Sequence, residues 1–436
     1  MKVPFLRPGS QDSVDRTEPM TISPAAPDAA APPLSRLKLL GFTVTLLGVA
    51  IVLALAAGEL LVRIAAPQQL PRVRPDIWTA EDGLGWVNRP DVRTTINTGE
   101  RTVDLFTDLE GFRVGAAGRM EAPIQVLLIG DSFMEALQVP YELSFAGLVQ
   151  QRAPGQLGVE VAGRNTGTDG WDPNHYLIEA RRRLARDSFA LTVVGIYLGN
   201  DVVGQRVDSY PARAPAERHH LRLPTRLAAM EFIDAVLYPV NDALEVRSHL
   251  FVLLKNRMAG LLMRVGLTAA YFPQELRRSF ATSPAWAVTA DICRDLVEAA
   301  RARGSAVLFI LIPAPHQVDR LVLQQYLRGF RIDTSTVDVD QPNRLLAAEL
   351  GRRGVLFFDA LPDFRAARDR GVKLYGTVDQ HLTPQGNDLL EQLAAPRLAE
   401  AMSQSPRPQG SSRPERQPRA TSKSAIVASP QQPTHE

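Results

Sequence analysis

"QVLLIGDSFMEAL", residues 125–137, is the stretch on which the fold turns. Gln125 to Ile129 has strand length and, after the glutamine, is apolar without alternation, the pattern of a strand buried on both faces. Gly130-Asp131-Ser132 breaks that run, and Phe133 onward reads as a short helix. Gly-Asp-Ser is also ordinary turn chemistry. Read alone, Ser132 is either a nucleophile at the end of a strand or a polar turn residue.

Outward from this stretch, four further runs have the same character: "VEVAG" (159–163), "LTVVGIYL" (191–198), "AVLFILI" (306–312) and "VLFFD" (355–359). Helical patterns fall between them in "HYLIEARRRLAR", "AWAVTADICRDLVEAARARG" and "PNRLLAAELGRRG". Buried strands alternating with helices predict an α/β domain with a parallel sheet covered on both sides. "TPQGNDLLEQLAAPRLAEAM" supplies the last helix, with Thr383 as N-cap and Pro384 at the first position, and Pro396 predicts a kink or break. Residues 63–122 read as a linker and a small β-rich prologue. Residues 203–284 are too long for a plain strand-to-helix connection and read as a mainly helical insertion, packed on the sheet, capping a cleft or touching a membrane.

The chain has 436 residues, 45% hydrophobic and 22% charged, with a formal net charge of +2, so no dominant basic surface points to nucleic acid. Residues 1–34 and 403–436 are rich in Pro, Ala, Ser, Gln and Arg and read as disordered tails. Leu39 to Ala57 is uncharged and about as long as one membrane-spanning helix requires, which places a transmembrane helix at 35–62. Flanking Arg and Lys do not fix its orientation. The expected arrangement is a signal anchor with the main domain extracytoplasmic, in a periplasm-like space; the small-x-small Ala54-Leu55-Ala56 keeps a cleaved signal peptide as the rival. The single cysteine, Cys293, permits no intramolecular disulfide and reads as core.

Ligands of open parallel sheets collect at the carboxyl ends of the strands. Four loops sit there: Gly130-Asp131-Ser132, "NTGTDGW" (165–171), Gly199-Asn200-Asp201 and "DQHLTPQG" from Asp379. Together they hold a serine, a glycine loop, an asparagine and an Asp/His pair. A serine esterase needs that set, because the hydroxyl needs a base, the base an orienting partner and the oxyanion fixed donors.

In these blocks, "IGDSF", "NTGTDG", "LGND" and "DQH", the sequence resembles the SGNH (GDSL-type) hydrolases over about residues 123–402. "LGW..NRP" and "DLEGFR" upstream look like pieces of membrane-anchored members. The resemblance implies a flavodoxin-like three-layer α/β/α fold and no metal or cofactor. It implies Ser132 as nucleophile, an oxyanion hole from the Ser132 and Gly170 N–H groups and the Asn200 amide, His381 as base, and Asp379 orienting its ring. The more frequent family pattern has two residues between Asp and His; here only Gln380 intervenes. In an extended segment residues two apart share a side, so both side chains are expected to face Ser132.

His316, also at a strand end, is the competing base. His219 and His220 lie in a basic stretch with no further metal ligands at a recognisable spacing. No Gly-x-Ser-x-Gly elbow, His-Glu-x-x-His zinc motif or phosphate-binding loop occurs. Trp171 reads as a pocket wall or core, and Arg113 as an anion contact or a structural ion pair. The expected activity is hydrolysis of a small-molecule or polysaccharide acyl ester in the cell envelope, O-acetyl groups being an example. An O-acyltransferase with the same acyl-enzyme, or an inactive anchored scaffold, would share these features. Oligomeric state is left open.

Overall fold

The computed structural model describes residues 35–68, 70, 74, 76–98, 101–212, 240, 243–244, 247–264, 272–329, 332–377 and 379–404. The expected tail at 1–34, nearly all of the tail at 403–436 and residues 213–239 of the insertion lie outside these. The chain divides into two compact units, one ending at Ala57 and one beginning at Gly58.

The first described element is helix α1 (Arg36–Ala65). Its residues up to Ala57 carry apolar side chains that are exposed on all sides, and among the described residues it is the helix long and apolar enough to cross a membrane.

The second unit holds strands β1 (Trp78–Glu81), β2 (Gly85–Asn88), β3 (Arg93–Asn97), β4 (Thr102–Thr107), β5 (Arg113–Val114), β6 (Ile124–Ile129), β7 (Val161–Asn165), β8 (Leu191–Tyr197), β9 (Ala306–Ile312) and β10 (Phe357–Asp359). Its helices are α2 (Ser132–Glu135), α3 (Phe145–Leu157), α4 (Pro173–Leu184), α5 (His249–Arg264), α6 (Ala285–Arg301), α7 (Pro315–Val318), α8 (Arg320–Gly329), α9 (Gln341–Arg352), α10 (Leu361–Asp369) and α11 (Pro384–Gln404).

Strands β10-β9-β8-β6-β7 are parallel in that order. Counted from β6, this is the 2-1-3-4-5 order of flavodoxin-like sheets, whose switch point falls between β6 and β8. The period-2 geometry of a strand divides the apolar runs between two cores. Leu127, Ile129, Val194, Ile196, Phe309 and Leu311 face the layer of α4, α6 and α9. Val126, Leu128, Leu191, Val193, Leu308 and Ile310 face the layer of α3, α10 and α11. Each such fully buried side chain contributes about 1.5–3 kcal/mol, so both helical layers are held to the sheet by the residues that made the runs continuous.

The prologue divides: β1 and β2 pair with each other in a separate two-stranded antiparallel sheet, and the remaining strands join the main one. β3, β4 and β5 extend the main sheet antiparallel, joined through the pairing of Arg113 with Asn165 on β7, so the eight-stranded sheet is mixed. The second parallel strand lies two residues later than its apolar run suggests, because Arg164 and Asn165 are buried with it. Pro396 does not end α11: burial of Leu390, Ala394, Leu398 and Ala401 on one face carries the helix through to Gln404, including Ser403 and Gln404 expected in the tail. Within the insertion, the described residues include α5 and two short 3-10 turns, Gln274–Leu276 and Arg278–Phe280.

Candidate active site

At the switch point, Ser132 is the first residue of α2, directly beyond β6. Asp131 caps that helix, its Oδ1 accepting the Phe133 N–H at 2.9 Å. The turn requires glycine, since a Cβ on Gly130 would lie 2.3 Å from Met134 Cγ and 3.0 Å from the Gly195 carbonyl oxygen.

His381, from the loop before α11, brings Nε2 to 2.8 Å from Ser132 Oγ. Its Nδ1 lies 3.1 Å from the main-chain carbonyl of Asp379. A ring nitrogen facing a carbonyl carries the proton, which leaves the Nε2 lone pair toward the serine hydroxyl. Phe133 packs beside the imidazole at 4.8 Å between centroids and stacks on Tyr197 at 3.8 Å. Burial pushes the imidazole below its ordinary pKa; the negative charge of Asp169 and the bond to the Asp379 backbone act the other way. Burial thus favours the neutral form of the ring.

Asp379 meets His381 differently from the extended geometry expected of it. Gln380 has φ of 60°, so the segment turns, and the turn presents the carbonyl of Asp379 to the ring. The Asp379 carboxylate instead accepts the His381 main-chain N–H at 3.0 Å.

The glycine loop is tied to the first turn after Ser132. Thr168 N–H donates to the Gly130 carbonyl at 3.1 Å. Asn165 Nδ2 donates to the Met134 carbonyl at 2.8 Å, and its Oδ1 accepts the Gly167 N–H at 2.9 Å. Gly167 approaches so closely that a Cβ there would lie 2.4 Å from the Glu135 nitrogen. Gly170 is exposed with φ of 75°, a conformation that favours glycine. Asn200 is exposed in the turn after β8, and that turn is fixed by Asp201, whose Oδ2 accepts from Tyr176 Oη and the Tyr197 N–H, both at 2.8 Å. Ser132 and His381 are thus in direct contact, and Gly170 and Asn200 lie on the same sheet edge beyond β7 and β8.

Arg113 and Trp171, each read from sequence as either a substrate contact or a structural residue, are both buried. Arg113 is 1% exposed and donates to the carbonyls of Glu135, Ala136 and Val139 at 2.5–2.6 Å, clamping the chain after α2. Its two terminal nitrogens are bonded to main-chain oxygens, and at this burial it offers no surface to an anionic substrate. Trp171 is 2% exposed in the α4-side core, its indole donating to the Trp86 carbonyl at 3.0 Å. A cavity of about 440 Å³ touches Trp171, Thr168 and Arg183, and neither Ser132 nor His381 lines it. His316 is buried on α7, where desolvation pushes its pKa down to about 4 and its Nε2 has no hydrogen-bond partner among the described residues.

Sequence reasoning missed the prologue's grip on the site. The buried carboxylate of Glu135 accepts from Trp78 Nε1 at 2.9 Å and from the Asp169 N–H at 2.8 Å. Asn88 Nδ2 holds the Gly167 carbonyl and Trp86 Nε1 the Asp169 carbonyl, each at 2.8 Å. The "LGW..NRP" stretch was the available signal for Trp86 and Asn88; a glutamate three residues after a serine gives none. Asp131 and Asp201 are both fully buried, and desolvation raises both carboxyls, Asp131 to about 7.

No protein-family model matches the sequence, and no curated protein matches it. Solved structures do match. A lipase/acylhydrolase from Enterococcus faecalis is 13% identical, covering 64% of this chain and 96% of its own, with a TM-score of 0.35. A member of the lipolytic G-D-S-L family from Veillonella parvula is 12% identical, covering 62% and 96%, with a TM-score of 0.31. A catalytic mutant of an acetylxylan esterase from Geobacillus stearothermophilus is 12% identical, covering 65% and 96%, with a TM-score of 0.32. The fold assignment rests on the strand order and layers above, not on these scores.

Proposed function

We propose that the chain is a serine esterase of the SGNH type, acting through an acyl-enzyme on Ser132. The observation that carries this reading is the 2.8 Å approach of His381 Nε2 to Ser132 Oγ at the switch point of the sheet. His381 takes the hydroxyl proton as Oγ bonds to the ester carbonyl carbon. The oxyanion is received by the main-chain N–H groups of Ser132 and Gly170 and by the Asn200 amide. His381⁺ then gives its proton to the leaving alkoxide as the C–O bond breaks. Water then loses a proton to His381 as its oxygen bonds to the acyl carbon, and the acid leaves as the bond from that carbon to Oγ breaks and His381 returns the proton to Ser132. Asp379 supports the base through its carbonyl at Nδ1, and the nearby charge of Asp169 favours the transient imidazolium.

We also propose that α1 anchors the protein in a membrane as a single-pass helix, with the catalytic unit extracytoplasmic. That location favours an ester of the cell envelope, O-acetylated polysaccharide being the preferred class. A fluorophosphonate probe tests the chemistry. Labelling of wild type that disappears in Ser132→Ala supports the assignment; folded wild type that stays unlabelled, or labelling that survives Ser132→Ala, removes it. Release of acetate from O-acetylated polysaccharide, compared with a short aryl ester, tests the substrate class.

A further inference from the structure

Helix α5 of the insertion begins against the end of α1. Glu59 accepts from Ser248 Oγ at 2.7 Å, from the His249 N–H at 3.0 Å and from the Leu250 N–H at 2.9 Å, and so caps α5 with a carboxylate from a distant part of the chain. Arg63 fixes that carboxylate at 2.7 Å and donates to the Arg247 carbonyl at 2.6 Å. The Gln68 N–H meets His249 Nδ1 at 2.8 Å. Gly58 sits where a Cβ would lie 3.1 Å from Leu250 Cδ2. This is a fixed joint rather than a passing contact.

Leu254, Met258 and Leu261 of α5 are 55%, 54% and 52% exposed. Their i, i+4, i+7 spacing puts them in one stripe, while Val252 is buried and the exposed Asn256 points away from the stripe. By the same helical geometry Arg257 flanks one side and Lys255 the other, so the stripe has cationic margins. Val240 and Leu244, just ahead of the helix, are also exposed, at 54% and 38%.

We propose that this face of α5 lies on the lipid bilayer, with Leu254, Met258 and Leu261 at the boundary between headgroups and acyl chains. The inference rests on the reading of α1 as a membrane-spanning helix. The uncharged run Leu39–Ala57 supplies about 28 Å of helix, close to the ~30 Å of a bilayer's hydrocarbon core. Glu59 and Arg63 follow within the next two turns, so the joint sits at interface depth and delivers the start of α5 to that level. A helix with an apolar stripe and basic flanks is the form that settles there. Membrane contact then comes from two elements of one chain, the apolar run of α1 and the exposed stripe of α5.

The test uses the full chain in the Cys293→Ala background, which removes the single native thiol, reconstituted in vesicles of phosphatidylcholine and phosphatidylglycerol. An environment-sensitive fluorophore is attached in turn to Leu254→Cys, Met258→Cys, Leu261→Cys, Asn256→Cys and, as a reference for the span, Val49→Cys. Nitroxide-bearing lipids are expected to quench the label at Val49, Leu254, Met258 and Leu261 at least twofold more than at Asn256. Quenching at Val49 with water-like, unquenched labels on the α5 stripe overturns the inference and leaves the spanning helix standing. A stripe shielded from aqueous iodide but not quenched by lipid overturns it in favour of a covering protein surface. Failure to quench at Val49 removes the spanning reading and this inference with it. Because all four positions on α5 are exposed, these variants are expected to fold.

Discussion

Replacing Asp379 by asparagine separates two ways of holding the proposed base, His381. The ring nitrogen Nδ1 faces the main-chain carbonyl of Asp379, and the carboxylate receives the His381 main-chain N–H. Asparagine keeps the carbonyl and offers an amide oxygen to that N–H, so the tautomer with its lone pair toward Ser132 is retained. What is lost in the support of His381 is charge assistance in the hydrogen bond to its main-chain N–H. Hydrogen bonds to charged groups contribute about 1.5–3 kcal/mol against about 1 kcal/mol for neutral ones. A loss of about 1–2 kcal/mol follows, or roughly 5- to 30-fold in kcat/KM. An aspartate that bonds the ring itself costs about 10⁴-fold when it becomes asparagine, because the wrong tautomer results. The assay is kcat/KM on a short aryl ester, normalised to sites titrated by fluorophosphonate, with circular dichroism to verify folding. A loss near 10⁴-fold in folded Asp379→Asn would refute this geometry and return the ring to the carboxylate.

Three further expectations follow from neighbouring groups. The proposed base, His381, would act when neutral and burial lowers its pKa, so kcat/KM is expected to climb with pH through a limb below ~6.5; Asp169→Asn removes an opposing charge and should move that limb to still lower pH, and a limb that stays in place would show that Asp169 does not act on His381. The Asp131 carboxyl is raised to about 7, so the folded chain holds this proton more tightly than the unfolded one, and its contribution to stability falls as pH rises from ~4 to ~7. Asp131→Asn keeps the cap and should therefore unfold later in urea than wild type at pH 8, by up to about 4 kcal/mol, with no gain at pH 4; a destabilised variant at pH 8 counts against the buried-carboxyl reading. Arg113→Met leaves three main-chain carbonyls without their donor, at about 1–3 kcal/mol for each buried group left unsatisfied, so its melting temperature should fall by many degrees while KM for a neutral ester in the folded fraction stays near wild type.

The sheet, and the placing of Ser132 and His381 at its edge, were legible in the sequence for a local reason. Continuous apolar runs of strand length such as "AVLFILI", rich in β-branched and aromatic residues, read as strands buried on both faces, and Gly130-Asp131-Ser132, Asn200 and His381 each follow such a strand or precede a helix. Chain-local chemistry therefore located the crevice before any contact was known. Three things were not legible, because each depends on partners far apart in the chain. The prologue's fusion to the sheet rests on a single pairing, Arg113 with Asn165, which no periodicity announces. Arg113 and Trp171 carry side chains suited to binding, yet burial among Glu135, Ala136, Val139 and Trp86 gave them structural work. The support of His381 turned on one backbone angle at Gln380, which chose between the carbonyl and the carboxylate of Asp379. Sequence by itself determined which groups reach the sheet edge, since strand and turn propensities act over a few residues. Only the tertiary structure decided how those groups face one another, because that is set by packing between segments that the chain keeps up to 249 residues apart.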